Sequence, residues 1–177
     1  MRKIYFDHSA TTPVHPDAAD EMCRCINSIY GNPSSIHSFG REAKKALEEA
    51  REKVARGIGA DPAEIVFTSG GTESDRLAIR GAVHSNHAKG NHIITSAVEH
   101  HAVLDTCRAL ESGGFELTVL PVDEYGMVDP GHLASAIKDN TILITIMHAN
   151  NEVGTIQPIA EMARIAREKG VIFHTDA

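Results

Sequence analysis

Glu64-Ile65-Val66-Phe67-Thr68-Ser69-Gly70-Gly71-Thr72-Glu73-Ser74-Asp75-Arg76-Leu77-Ala78-Ile79-Arg80 decides how this chain is read. Glu64 to Thr68 is a short β-branched and aromatic run of the kind that fills a buried parallel strand. Ser69-Gly70-Gly71 then permits a turn in which main-chain N–H groups approach a ligand, because glycine has no Cβ in the way. Thr72 suits the N-cap of a following helix, and Glu73 and Asp75 fall in its first turn, where carboxylates complement the positive helix end. Strand, glycine turn and helix N-terminus together make an anion site, with a phosphate as the expected anion.

Working outward, the segments on both sides alternate between helical and strand periodicity. Upstream, Pro16 opens a helix whose apolar residues Ala19, Met22, Cys23 and Ile26 recur at helical spacing. After Gly31-Asn32-Pro33, Ser38 is a candidate cap for a long amphipathic helix with Phe39, Ala43, Leu47, Ala50, Val54 and Ile58 on one face. Its Lys45 and Glu49, four apart, support it as a pair. Downstream, strands are expected at 91–96, 115–122, 141–147 and 171–175, and helices at 99–112, 131–138 and 159–169. Such βαβ alternation predicts an α/β fold in three layers, a mostly parallel sheet with helices on both faces. The expected organisation is an extended segment over 1–15, helices and a loop over 16–60, and the α/β domain over 61–177.

Composition excludes several classes of function. The 177 residues carry 17 Lys and Arg against 24 Asp and Glu, a net charge of −7. No sequence-independent grip on nucleic acid is expected from such a balance. Three cysteines form no even disulfide framework, and no membrane-length apolar run or signal segment is visible, so a reducing cytoplasm is the expected compartment. Eleven histidines raise a metal site, but no H-E-x-x-H occurs and His84, His87, Cys23 and Cys25 lack partners at ligand spacing. No metal is expected.

Ligands of open parallel sheets bind beyond the carboxyl ends of the strands. The polar residues there are Ser69 to Thr72, Glu99-His100-His101, His148 to Glu152, and Asp176. A phosphate cradle, a histidine, an amide and a carboxylate around one pocket suit a phosphorylated aromatic cofactor. Neither a P-loop nor a complete dinucleotide fingerprint is present. Read by themselves, these residues keep plainer alternatives: the glycines as an ordinary turn, Asn150-Asn151 as a turn, Asp176 as a strand-end carboxylate. His100 and His101, placed in a helix, point about 100° apart and would not both face one site.

The stretches IYFDHSATTP, YGNPSSIHSFGREA, EIVFTSGGTES, SAVEHHAVLDTC, MHANNEVGTIQPI and VIFHTDA, in this order along nearly the whole chain, resemble blocks of the NifS/IscS-type cysteine desulfurases. These are class V aminotransferase-like, fold-type I enzymes using pyridoxal 5′-phosphate. The resemblance implies that Gly71 and Thr72 hold the cofactor phosphate, and that His100 stacks on the pyridine ring and moves protons as a catalytic residue. It implies that Asn151 lies near the ring's phenolic oxygen and the substrate carboxylate, and that Asp176 pairs with the pyridine nitrogen. The implied reaction takes sulfur from L-cysteine, giving L-alanine and an enzyme persulfide for an iron–sulfur scaffold or another acceptor protein. The implied enzyme is a homodimer.

The resemblance also implies a cofactor-bearing lysine in an S-x-H-K block and a nucleophilic cysteine, both downstream of Asp176, so the 177 residues are expected to be an N-terminal portion, inactive alone. Arg76 stands where the family usually has asparagine, and Gly71 where alanine is common. The alternatives are another class V enzyme, such as a selenocysteine lyase or an aminotransferase-like relative, and a short form acting as a dimerisation or regulatory partner.

Overall fold

The computed structural model describes residues 3–177. The chain forms two compact units that divide between Phe67 and Thr68.

The first unit is helical. Helix α1 (Pro16–Ser28) starts where expected, with Pro16 at its first position and the His15 ring accepting the Asp17 N–H at 3.3 Å. None of its residues is buried. Helix α2 (Ser38–Ile58) ends at Gly59, whose φ of 71° is the left-handed conformation that glycine supplies at least cost. Lys45 and Glu49 pair at 3.8 Å. Ser38 is not the cap: the extended residue His37 takes that position, and its Nδ1 accepts the Gly40 N–H at 3.3 Å.

The expected strand over Glu64 to Thr68 is not formed. Glu64 closes a short 3₁₀ turn (Pro62–Glu64) secured by a capping box with Asp61, and the chain then runs extended without a ladder partner among the described residues. Val66 and Phe67 are 65% and 46% exposed. What steadies the run is Arg51, whose guanidinium donates to the Ile65 carbonyl and lies 5.1 Å from the centre of the Phe67 ring. Strand propensity is local, but a strand exists only where a second backbone accepts its hydrogen bonds.

The second unit contains helix α3 (Gly71–Asn86), strand β1 (His92–Ser96), helix α4 (His101–Ser112), strand β2 (Glu116–Leu120), helix α5 (Pro130–Ala136), strand β3 (Thr141–Thr145), helix α6 (Ile159–Glu168) and strand β4 (Ile172–His174). The strands form one parallel sheet in the order β2-β1-β3-β4. Side chains alternate across a strand, so neighbours serve opposite faces. Ile93 and Leu143 pack with Ile79, Val83, Val103 and Cys107 from α3 and α4, while Ile94 and Ile144 pack with Leu133, Met162 and Ala166 from α5 and α6. Every residue of β1 and β3 is buried, as strands covered on both faces must be. The three-layer α/β architecture read from the sequence is therefore present.

Candidate cofactor site

Helix α3 begins differently from its sequence-based reading. Gly70 is the N-cap, no side chain caps the helix, and Thr72 is its second residue. Glu73 turns back on the preceding chain: one carboxylate oxygen accepts both the Ser69 N–H and its hydroxyl, each at 2.6 Å. These bonds hold the Glu73 carboxyl below the usual range, the Ser69 hydroxyl first. A Cβ added at Gly70 or Gly71 would meet nothing within 4 Å. The fold itself thus does not demand glycine here, and the uncapped first turn is open to an approaching anion.

Asp75 does not complement the helix end. It is 5% exposed, and burial, followed by the like charge of Asp176, raises its carboxyl above the ordinary value while His100 opposes. Its Oδ1 lies 3.7 Å from His174 Nε2, and His174 Nδ1 shares a 2.8 Å hydrogen bond with the Thr145 hydroxyl at the end of β3. Burial lowers the His174 imidazole, so the neutral ring is favoured between these partners.

At the end of β1 the chain passes through Ala97 and Val98 to Glu99 and His100. His100 is the N-cap of α4 with extended backbone, φ −60° and ψ 148°, and its Nδ1 accepts the Ala102 N–H at 3.1 Å. That bond leaves Nε2 as the nitrogen available to carry and exchange a proton. Because His100 precedes the helix, the 100° rule does not apply. His100 and His101 both line one cleft, with ring centres 6.3 Å apart.

The cleft encloses about 660 Å³. Besides the two histidines it is lined by Glu124, Tyr125, Asn150, Asn151 and Thr155, residues of the loops after β2 and β3. Asn150 organises its loop. Its carbonyl oxygen accepts the Glu152 and Val153 N–H groups at 2.9 Å, and its amide donates to the Val98 carbonyl at 3.0 Å. Gln157, buried, donates to the Gly126 carbonyl at 2.7 Å and accepts the Val128 N–H at 2.9 Å, joining the two loops.

Of the residues singled out from the sequence, His100 and Asn151 share the cleft. Asp176 is half-buried beyond β4, its carbonyl accepting the His148 N–H at 2.7 Å, and it acts electrostatically on Asp75 and on Glu99. Gly71 and Thr72 lie outside the cleft lining, in the first turn of the helix that carries Asp75. Arg76 is exposed. Sequence reasoning named Asp75 as a helix-end carboxylate, Glu99 as a strand-end polar residue and Asn150 as part of a turn, but not their buried roles, and it did not pick out His174 or Gln157. Ser96-x-x-Glu99, a hydroxyl and a carboxylate three apart before an apolar run, is a local signal consistent with the buried role of Glu99.

Residues 4–177 match the family model described as aminotransferase class-V. The chain belongs to this family. Among relatives of the class V chain, the cysteine desulfurase IscS of Dictyoglomus turgidum is 56% identical over 176 residues, 99% of this chain and 45% of the relative. That of Azotobacter vinelandii is 52% identical over 177 residues, 98% of this chain and 44% of the relative. Among solved structures, a NifS-like protein superposes with a TM-score of 0.95 at 41% identity, covering 99% of this chain and 49% of its own. A structure described as SspA in complex with cysteine gives a TM-score of 0.92 at 43% identity, covering 98% of this chain and 50% of its own. The class V chain thus spans about half the length of the proteins it matches. Pyridoxal 5′-phosphate is the family's cofactor, and the open α3 N-terminus, the His100 ring at the cleft and the half-buried Asp176 suit its phosphate, ring face and ring nitrogen.

Proposed function

We propose that this chain forms the cofactor-binding part of a pyridoxal-phosphate cysteine desulfurase, which removes sulfur from L-cysteine and leaves L-alanine and an enzyme persulfide. The observation that supports it best is the convergence of His100 and Asn151 on one cleft at the carboxyl ends of parallel strands. The cofactor supplies an electron sink; the chain's residues hold and poise it. The first turn of α3, with the N–H groups of Gly71 and Thr72 and the Thr72 hydroxyl, binds the phosphate. Asp176 holds the proton of the ring nitrogen by its negative charge. His100, fixed through Nδ1 by the Ala102 N–H, exchanges a proton at Nε2. Asn151 orients the substrate carboxylate.

In this reading the S-x-H-K lysine and the nucleophilic cysteine lie outside the 177 residues, two copies associate in the complete enzyme, and an iron–sulfur scaffold in a reducing cytoplasm accepts the sulfur. The expected test result is saturable binding of pyridoxal 5′-phosphate by the 177-residue chain, weakened by inorganic phosphate and by Thr72→Ala, without alanine release from L-cysteine. Equal binding of pyridoxal lacking the phosphate would sink the site assignment. Turnover with borohydride trapping at Lys44, Lys45, Lys53, Lys89, Lys138 or Lys169 would overturn the division of labour. Comparing L-cysteine with L-selenocysteine in the complete enzyme separates the desulfurase from a lyase of the selenium analogue.

A further inference from the structure

Glu99 has no part in the mechanism above, yet it is the most constrained acid at this end of the sheet. It is 7% exposed. Its Oε1 accepts the Ser96 hydroxyl at 2.5 Å and the Met147 N–H at 3.0 Å, so one oxygen joins the ends of β1 and β3. One residue earlier, the Val98 carbonyl receives the Asn150 amide at 3.0 Å. The turn that presents His100 is therefore stapled twice to the segment that presents Asn151. The other oxygen, Oε2, is buried without a hydrogen-bond partner. A carboxylate left so would forfeit much of its hydration, whereas a carboxylic acid carries a proton on that oxygen and keeps both bonds at Oε1.

We propose that Glu99 is a positioning residue of the cofactor site, a buried carboxyl that locks the His100 turn onto the Asn151 loop and holds on Oε2 a proton that the neighbouring acids Asp176 and Asp75 help to retain. The acids that act on it come from neighbouring elements, Asp75 of α3 and Asp176 beyond β4, while Glu99 in turn acts on Cys107 of α4. His100 follows it directly, and His174 of β4 lies 3.7 Å from Asp75. Burial foremost, then Asp176 and Asp75 against the two hydrogen bonds, pushes the Glu99 carboxyl up to about 7. Cys107, itself pushed up to about 12 by burial, stays a neutral thiol and adds no charge. A cation brought beside Asp176 cancels one of the like charges and so favours proton release from Glu99. A protonated ring nitrogen would do so, and in that respect the idea rests on the proposed cofactor; the proton store itself does not.

Carbon-13 NMR of the glutamate side-chain carboxyls in the whole 177-residue chain tests this directly. One carboxyl is expected to titrate near neutrality, to vanish in Glu99→Gln, and to move down by about half a pH unit or more in Asp176→Asn. The His100 ring resonances are expected to show an inflection at the same midpoint, absent in Glu99→Gln, whose amide retains an acceptor for Ser96 and Met147. A Glu99 midpoint near the ordinary glutamate value, or a midpoint indifferent to Asp176→Asn, overturns the proposal. So does a His100 ring signal with no inflection at the Glu99 midpoint. None of these readings uses the cofactor, so failure to bind pyridoxal 5′-phosphate would refute the proposed function while leaving this result standing.

Discussion

The two ends of the same parallel sheet are built on opposite principles. At the amino ends of β1, β2 and β3, His92 is fully buried, and its two ring nitrogens share hydrogen bonds of 2.8 Å with the hydroxyls of Thr141 and Thr118. Lys138 pairs with Glu116, and Asn140 donates to Asn91 at 2.9 Å and to Glu116 at 3.3 Å. Polar groups and charges there meet partners of the right kind. At the carboxyl ends, Asp75, Glu99 and Asp176 lie within one another's fields, and Glu99 Oε2 and the Thr175 hydroxyl are buried without partners. A polar network completed internally fixes a fold, while one left incomplete leaves room for a ligand to complete it.

The comparison is broken most severely at the completed end. His92→Ala removes both hydrogen bonds, strands two threonine hydroxyls and opens a hole the size of an imidazole, and about 3 kcal/mol of stability is expected to go. Urea unfolding of the two chains side by side measures it. A loss under about 1 kcal/mol would mean that water or relaxation replaces the clamp.

Acidity separates the two ends next. Burial first, then Lys138, lowers the folded-state pKa of His92, so its neutral form is the stabilising one. Stability from His92 is fully present above the unfolded value of about 6.5 and is lost as pH falls. Glu99 is raised from 4.5 to about 7, so its contribution is fully present below pH 4.5 and is lost as pH rises through 7. Between those limits the ends oppose each other, with Asp75 acting in the sense of Glu99 and His174 in that of His92. Glu99→Gln should make stability rise more steeply from pH 5 to 8, gaining on the order of 2–3 kcal/mol over the native chain at the upper limit. Thermal melting at several pH values reads the slope. Parallel curves for the variant and the native chain would show that Glu99 does not titrate in this interval.

How much of this was legible in the sequence follows from the range of the interactions involved. Helices α1, α2, α4 and α6 and the strands β1 to β4 are set by apolar spacing within a dozen residues, and each is found within a few residues of its expected place. The Glu64–Thr68 strand is equally regular in pattern, but no described backbone pairs with it. Caps were misplaced at Thr72 and Ser38 because good capping side chains stand one or two residues after Gly70 and His37, whose backbone already has the extended geometry. His100 and Asn151 were legible as polar residues after strands. Glu99 was legible in the same way, but its role was not, since nothing local reveals that Met147, 48 residues away in sequence, donates to it.

The smallest effect sharpens the comparison from its satisfied side. Lys138 and Glu116 form an ion pair at the amino end, but their side chains are 48% and 43% exposed. Water screens an attraction of this kind, and ordering two long side chains consumes part of what remains. Lys138→Met is therefore expected to cost less than about 1 kcal/mol, and the cost should shrink further in molar salt. The same substitution removes a positive charge that helps to hold the His92 ring neutral, so the His92 midpoint should rise slightly. A proton NMR titration of His92 detects that shift even where unfolding shows none. Were Lys138→Met as costly as His92→Ala, the amino end would be held together by charge rather than by its buried hydrogen bonds, and the contrast between the two ends would disappear.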